Sequence, residues 1–482
     1  MADVTLAPLF CDHAVLQQNR ALPIWGQASA GEHVTVNFRG QTVGATTDRD
    51  GRWIVYLDPI AATTEPADLT VTGKTTVVVH DVLVGEVWLA SGQSNMNRQL
   101  SSLPDAAEVI AKINQPLIRH ITIRQTLATT PMETVETSGW QPGTPEHAGN
   151  FSAVAWFFAA NLQRKLGVPV GLIHSSWGGS KIETWMDPHT LHAVNAWPAI
   201  EARWQELVKN YPTIVANHDA WLKLDAEAKA KGTPNPVPPP LLPRGPGTQH
   251  SPAECFNGMI VPLQPYALRG AIWYQGESNW AQPTEYAELF PAMIRAWRAQ
   301  WGLGDFPFYF VQLPNYAQPN DATGQGWALI REAQAKALAL PNTDMAVTLD
   351  CGNPQDIHPQ NKPIVGRRLA QIAAVNVYKI TGDWRGPRFA SAEREGPALR
   401  VQFDEVLTGL IAEGKPPQAL ELAGEDRKFY PATAVIERNT LLVKSPQVAE
   451  PVAVRYAWSN TPGANLFNGA GLPAAPFRSD NW

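Results

Sequence analysis

The stretch from Val82 to Met96 constrains this chain more than any other. Its first part, Val82-Leu83-Val84-Gly85-Glu86-Val87-Trp88-Leu89-Ala90, is a short apolar run rich in β-branched residues. That pattern belongs to a strand buried on both faces of a parallel sheet. The run stops at Gly92, which takes backbone conformations that other residues resist, and the polar cluster Gln93-Ser94-Asn95 follows directly. A serine on a tight turn between a central strand and a helix N-terminus is well placed as a nucleophile. The plainer reading is a helix N-cap. The rest of the chain has to decide between them.

A length of 482 residues holds two to four domains and ample material for a large core. The net charge of −6 is spread over interspersed acids and bases, so the chain carries no basic footprint for nucleic acid and no polybasic run for a membrane surface. No apolar stretch reaches the length of a membrane span. Met1-Ala2-Asp3-Val4 leads straight toward a first strand, so no signal peptide is expected. The three cysteines, Cys11, Cys255 and Cys351, are too few and too scattered for a disulfide framework or a zinc site. Three free, mostly buried thiols and no metal or other cofactor are the expectation. The 18 tryptophans suit the flat apolar faces of sugar rings, although most of them belong in the core.

Residues 1–80 read as a small β-sandwich. Leu22–Gly26, His33–Phe38, Trp53–Leu57 and Leu69–Thr72 alternate apolar with polar, and turn signals such as Asp48-Arg49-Asp50-Gly51 separate them. From 81 to 384 strands alternate with helices, which argues for a parallel sheet covered on both faces. The expected strands are Val82–Ala90, His120–Leu127, Val170–Ser175, Gly270–Tyr274, Phe308–Leu313 and Met345–Leu349. The expected helices are Ser152–Leu166, Tyr286–Trp301, Trp327–Leu340 and Asn361–Tyr378. An insertion at about 181–256 breaks the alternation. Leu191–Ala230 reads there as a helical hairpin, and the tract Thr233–Pro240 as extended polyproline. Such an insertion, placed after a strand's C-terminal end, is either a wall of the site or a surface addition. Residues 385–482 return to β signals, among them Leu399–Phe403, Leu441–Val443 and Val452–Tyr456.

In an open α/β sheet, ligands bind beyond the C-terminal ends of the strands. Four of these ends carry chemistry: Gly92-Gln93-Ser94-Asn95, Ser176-Trp177-Gly178-Gly179-Ser180, Gln275-Gly276-Glu277-Ser278-Asn279 and Asp356-Ile357-His358-Pro359. A serine hydroxyl needs a neutral imidazole to take its proton, which casts Ser94 as nucleophile and His358 as base. A developing oxyanion needs fixed donors, which the Ser94 amide, an amide at Gly178 or Gly179, and the Asn279 side chain can supply. Taken singly, a Gly-Gly is a turn, an Asn after a strand is a cap and a loop His is solvated. Their convergence on one rim favours catalysis.

These four blocks resemble those of the SGNH hydrolase superfamily, and most closely its sialate O-acetylesterase-like branch of carbohydrate acetylesterases. The resemblance extends to Pro23-Ile24-Trp25-Gly26 and to the terminal Gly471-Leu472-Pro473. It implies a flavodoxin-like three-layer α/β catalytic domain with a parallel sheet, flanked here by N- and C-terminal β-sandwich-like domains. It also implies no metal, and removal of O-acetyl groups from sugars. Gln93, Trp177, Glu277 and Trp280 are the candidate substrate contacts. Superfamily members commonly place the acid three residues before the histidine, where this chain has Gln355. Asp356, two before it, and Asp350, at the end of a strand, are therefore both candidates for the third member, with Asp356 favoured. The Ser94 turn lacks the second glycine of a G-x-S-x-G elbow, Met96 standing in its place, which speaks against an α/β-hydrolase. The expected activity is a serine esterase acting on an acetylated carbohydrate. A plant cell-wall polysaccharide such as xylan or xyloglucan is the first candidate and acetylated sialic acid the second. The rival readings are a lipase or aryl esterase of the same chemistry, and a glycan-binding protein with a vestigial rim. The family suggests a periplasmic or extracellular setting.

Overall fold

The computed structural model describes residues 3–404 and 406–482. Its organising element is one 17-residue strand, Thr76–Gly92, which serves two units in turn. The first half pairs antiparallel with Thr63–Thr72, and Val15–Gln17 lies parallel to it from Leu83 to Gly85. The second half runs between Val170–Ser176 and Gly270–Tyr274, parallel to both. The divide expected at 80/81 thus falls inside a continuous strand, and the N-terminal β unit and the parallel sheet share one backbone.

Across the parallel region the strand order is Gln115–Thr122, Val170–Ser176, Thr76–Gly92, Gly270–Tyr274, Phe308–Val311 and Thr343–Ala346, with Gln141–Gly143 added antiparallel at one edge. Helices cover both faces, and the alternation of side chains along the strand Phe308–Val311 makes this visible. Tyr309 stacks on Trp88, which meets Phe158 of the helix Ala153–Leu166. Phe308, its neighbour, points the other way to Trp273 and to Trp297 of the helix Pro283–Trp301. Two consecutive residues on opposite faces, both fully buried, are what a doubly covered sheet requires. Ser152 caps the helix Ala153–Leu166 by accepting from the Ala155 amide, and Gly167 closes it at φ 69°. The helix Lys362–Asn376 packs beside it.

Sequence reading places these elements well and their ends less well. The second strand runs over Gln115–Thr122 rather than His120–Leu127, and the last is Thr343–Ala346 rather than Met345–Leu349. The expected helical hairpin is corrected outright. The span Leu191–Ala230 holds the end of a short helix, Pro188–Ala193, and then one 34-residue helix, Trp197–Ala230, which runs through Pro212 without folding back. The tract Thr233–Pro240 that follows, expected as extended polyproline, forms neither helix nor strand, its prolines at 234, 236 and 238–240 supplying no N–H groups. The chain comes back without regular structure against the long helix, Val237 O accepting from Trp221 Nε1 at 2.8 Å and Gly245 abutting the Tyr211 ring.

The N-terminal unit faces a sheet of Thr5–Leu6, Leu22–Gln27 and Arg52–Leu57 toward the hairpin His33–Phe38/Gln41–Thr46 and its neighbours. The C-terminal unit is a seven-stranded antiparallel sheet with a separate two-stranded ribbon, Leu410–Ala412 with Leu466–Asn468. Arg331, fully buried, ties that unit to the α/β body. Its guanidinium donates to the carbonyls of Leu313 and Pro314 on one side and of Ser459 and Asn460 on the other, at 2.8–3.1 Å. Replacing it orphans several buried carbonyls at once. Arg331→Met is expected to cost ~3 kcal/mol of stability and to lower the midpoint of thermal unfolding by several degrees. A midpoint unchanged from wild type counts against this tie.

Candidate active site

The rim of the sheet is assembled by close backbone approach. Gly92 adopts φ 134°, and a Cβ there would stand 2.1 Å from the Tyr274 carbonyl oxygen. The bare backbone lets the Gln93 N–H donate to that same oxygen at 2.9 Å. Gly276, at φ 153°, turns the neighbouring strand's exit in the same way. The two loops therefore run side by side, and the Gln93 side-chain oxygen accepts from the amides of Gly276 and Ser278, both at 3.3 Å.

Ser94 opens a one-turn helix, Ser94–Asn97, and is half-buried. Its hydroxyl lies 2.8 Å from His358 Nε2, hydrogen-bonding distance for nucleophile and base. The two residues are 264 positions apart, and the contact exists only because the loop 353–360 crosses the end of the central strand. The other imidazole nitrogen, Nδ1, is 4.0 Å from Asp356 Oδ1. That is an ion-pair distance, too long for a hydrogen bond. The same oxygen accepts from the His358 backbone N–H at 2.8 Å, so Asp356 braces the loop and faces the ring together. Asp350 is committed elsewhere, gripping the buried Arg368 guanidinium through both oxygens at 2.6 and 2.7 Å. Of the two candidate acids, Asp356 alone is beside the histidine.

Gly178 packs directly on the serine: a Cβ there would be 3.4 Å from Ser94 Cβ. Among the described residues, the N–H groups of Ser94, Gly178 and Gly179 donate to no protein acceptor. Gly179 takes φ 77°, and its carbonyl is held by Ser278 Oγ at 2.9 Å while Gln249 Nε2 holds that of Gly178. Each carbonyl shares a rigid peptide plane with the next residue's N–H, so holding the Gly178 carbonyl orients the Gly179 amide, and the Trp177 carbonyl, which accepts from Ser180 Oγ at 2.8 Å, orients the Gly178 amide. Asn279 is more engaged than the sequence suggests. Its oxygen accepts from the Ile182 amide and Gln275 Nε2, and its nitrogen donates to Glu183 Oε2 at 2.8 Å. Among the described residues the second N–H of that amide donates to no protein acceptor, and Asn279 itself is 1 % exposed.

Two expected substrate contacts are corrected. Gln93 is 2 % exposed, and its oxygen is taken up by the neighbouring loop. Glu277 is 4 % exposed, accepts from Asn95 Nδ2 at 2.5 Å, and so lies beneath the rim. Trp177 is half-buried on the glycine loop, and Trp280 is half-buried against Gly326. Sequence reading missed Lys362 and Glu183, which are buried charges holding Asn95 and Asn279. It also missed Gln249, from the insertion. None has a local signal, because each acts through a partner distant in sequence. Among the described residues no cluster of His, Cys, Asp and Glu side chains forms a metal site.

Burial lowers the His358 pKa from its usual 6.5, helped by the nearby Arg98 and Lys362 cations and opposed by Asp356. The imidazole is therefore neutral, and able to accept the Ser94 proton, at neutral pH.

This fold is that of a carbohydrate esterase. The family model described as carbohydrate esterase, sialic acid-specific acetylesterase matches residues 84–219 and 254–374. The chain belongs to this family, and it is an acetylesterase hydrolase. The gap in the match, 220–253, falls in the insertion. Mouse sialate O-acetylesterase is 31% identical over 94% of this chain and 90% of its own length, and the human protein 28% identical over 96% and 90%. A carbohydrate acetylesterase from Xanthomonas citri shares 37% identity and superimposes with a TM-score of 0.86, each chain covered in full.

Two measurements check the site. With the His358 pKa lowered, the acid limb of kcat/KM is expected to have its midpoint below pH 6.5, activity being lost as pH falls through it. A midpoint above 6.5, or a flat profile from pH 5 to 9, contradicts a neutral His358 base. Asp356→Asn is expected to lower kcat by roughly 10²–10⁴. Asp350→Asn, which strands Arg368 without its partner, is expected to lower the thermal midpoint and leave kcat in place.

Proposed function

We propose that the protein is a serine esterase of the SGNH type that removes O-acetyl groups from a carbohydrate through an acetyl-enzyme intermediate. On this reading the doubly covered parallel sheet is a flavodoxin-like three-layer catalytic domain, and the two β units flank it. The observation that carries the proposal is the 2.8 Å contact between Ser94 Oγ and His358 Nε2 beside a set of unengaged backbone amides. Ser94 Oγ attacks the acetyl carbonyl as His358 takes its proton. The oxyanion so formed is held by the amides of Ser94 and of Gly178 or Gly179, with the free N–H of Asn279 as a further donor. Collapse returns the proton from His358 to the departing sugar oxygen. A water then enters, His358 takes its proton in turn, and acetate leaves as Ser94 is restored. Asp356, facing Nδ1, stabilises the imidazolium in both halves.

Two substrate classes fit an acetylesterase of this family: a neutral cell-wall polysaccharide such as xylan or xyloglucan, and an acetylated sialic acid. One feature favours the acidic sugar. The insertion and the rim enclose a cavity of ≈ 180 Å³ lined by Lys181, Arg203, Arg244 and His250 with Trp204 and Ser278. Arg203 is paired with Glu285; among the described residues Lys181 and Arg244 have no ion-pair partner, and against the one acid Glu183 they leave an excess of positive charge that a carboxylate would meet.

Ser94→Ala is expected to lose at least ~10³ of kcat on p-nitrophenyl acetate with its thermal midpoint retained. Retention of a tenth of wild-type turnover removes Ser94 as nucleophile. Acetate release from a panel of acetylated xylan, xyloglucan and sialic acid, ranked by kcat/KM, decides the substrate class. Glycan binding without any acetate release on the whole panel is the result expected of a binding protein instead.

A further inference from the structure

Lys362 is the first residue of the helix Lys362–Asn376 and is completely buried. Each feature of that position opposes a cation. Ammonium groups are among the groups least often buried, and the N-terminal end of a helix carries the positive pole of its dipole. The Arg98 cation adds a third unfavourable interaction. What offsets them is specific. The ammonium donates to Asn95 Oδ1, lies 5.4 Å above the ring of Tyr274, and faces Glu277.

Asn95 carries the connection onward. It directly follows Ser94, and its amide nitrogen donates both to Glu277 Oε1 at 2.5 Å and to the carbonyl of Ile357 at 3.0 Å. Ile357 directly precedes His358. One side chain thus joins the serine turn, the loop of the histidine and the loop after the strand Gly270–Tyr274, and Lys362 holds the far end of it. Nothing in packing alone asks for an ammonium there, since a methionine fills the same volume with no charge to bury. A buried charge kept where both the helix and its neighbours disfavour it points to a role in the site.

We propose that Lys362 is a positioning residue of the deacetylation site, fixing Asn95 so that Ser94 and His358 keep their contact and holding a buried positive charge near the imidazole. The inference rests on the reading of Ser94 and His358 as nucleophile and base. The charged groups facing His358 are Arg98 and Lys362, which disfavour imidazolium, and Asp356, which favours it. Those facing Lys362 are Glu277, whose pKa burial raises, and Asp356, which favour the ammonium, and Arg98, which disfavours it; the buried Cys351 thiol beside them, pushed up to about 12, stays uncharged. Burial brings the Lys362 pKa down to about 7, so its charge is full on the acid side, where the base must resist protonation. Removing that charge makes His358 easier to protonate.

The test is the pH profile of kcat/KM on p-nitrophenyl acetate for Lys362→Met, Lys362→Gln and Lys362→Arg, each with its thermal midpoint. Lys362→Met is expected to lower kcat at least tenfold and to move the acid limb to higher pH by about half a unit or more. Lys362→Gln is neutral but still able to donate to Asn95. It is expected to show the same shift with a smaller loss of kcat, and it carries the test if Lys362→Met does not fold. Lys362→Arg, which keeps the charge, is expected to leave the limb where it is. A merely structural lysine would change stability and leave the limb of every folded variant unmoved. If folded Lys362→Met or Lys362→Gln keeps the wild-type limb and a kcat within twofold, the inference is wrong. Ser94→Ala and His358→Ala serve as references: turnover surviving in either overturns the underlying reading, whereas loss in both leaves the Lys362 result to be judged alone.

Discussion

A Cβ at Gly92 would overlap the Tyr274 carbonyl, and the site depends on the absence of that atom. Two neighbouring parallel strands reach their ends together, Gly92 in register with Tyr274. With no side chain between them, the serine turn and the Gln275–Asn279 loop lie close enough to share hydrogen bonds. Gln93 spends its side chain on that junction. The cost of a glycine in a strand is conformational entropy, and what it secures is a nucleophile standing on rigid backbone. The third strand end, with Gly178 against Ser94, follows from the same register, because Ser176 pairs with Gly92 on the other side.

Below this junction the site is held by buried ionisable side chains rather than by apolar packing. Glu277, Lys362 and Glu183 each end on the side-chain amide of an asparagine, Asn95 or Asn279. Hydrogen bonds to ionised partners in a region closed to water are short and directional. An asparagine between two charges is therefore fixed in orientation, which apolar neighbours do not achieve. The same low dielectric draws the Lys362 and His358 pKa values down together. Electrostatics and geometry at this site come from one set of residues.

The C-terminal unit and the insertion both reach residues beside the site. The C-terminal sheet is fastened by Arg331 and by Asn460, whose oxygen accepts from the Trp327 amide at the start of the helix Gly326–Ala335. That helix presses Gly326 against Trp280, one residue past Asn279. The insertion reaches the rim more directly, through Gln249 on the Gly178 carbonyl. The loop that orients the free amides is thus braced by a segment that interrupts the fold.

The sequence by itself determined the order of strands and helices, because apolar runs and 3.6-residue periodicity are local properties. It also determined which strand ends carry Ser94, Gly178, Asn279 and His358, because parallel strands put every C-terminal end on one side. What it lacked were facts of distance between remote residues. Asp350 and Asp356 look alike beside His358 in the chain, and only the folded loop shows Asp350 held by Arg368 and Asp356 near the ring. Gln93 and Glu277 are polar residues next to a nucleophile, and only packing shows that both are turned inward. Lys362 reads as an ordinary first-turn lysine. The tertiary structure alone makes it a buried cation, because its surroundings are assembled from strands and loops up to 267 residues away. Local pattern decides where an element runs, whereas the desolvation and partnership that set a side chain's role exist only once distant segments have met.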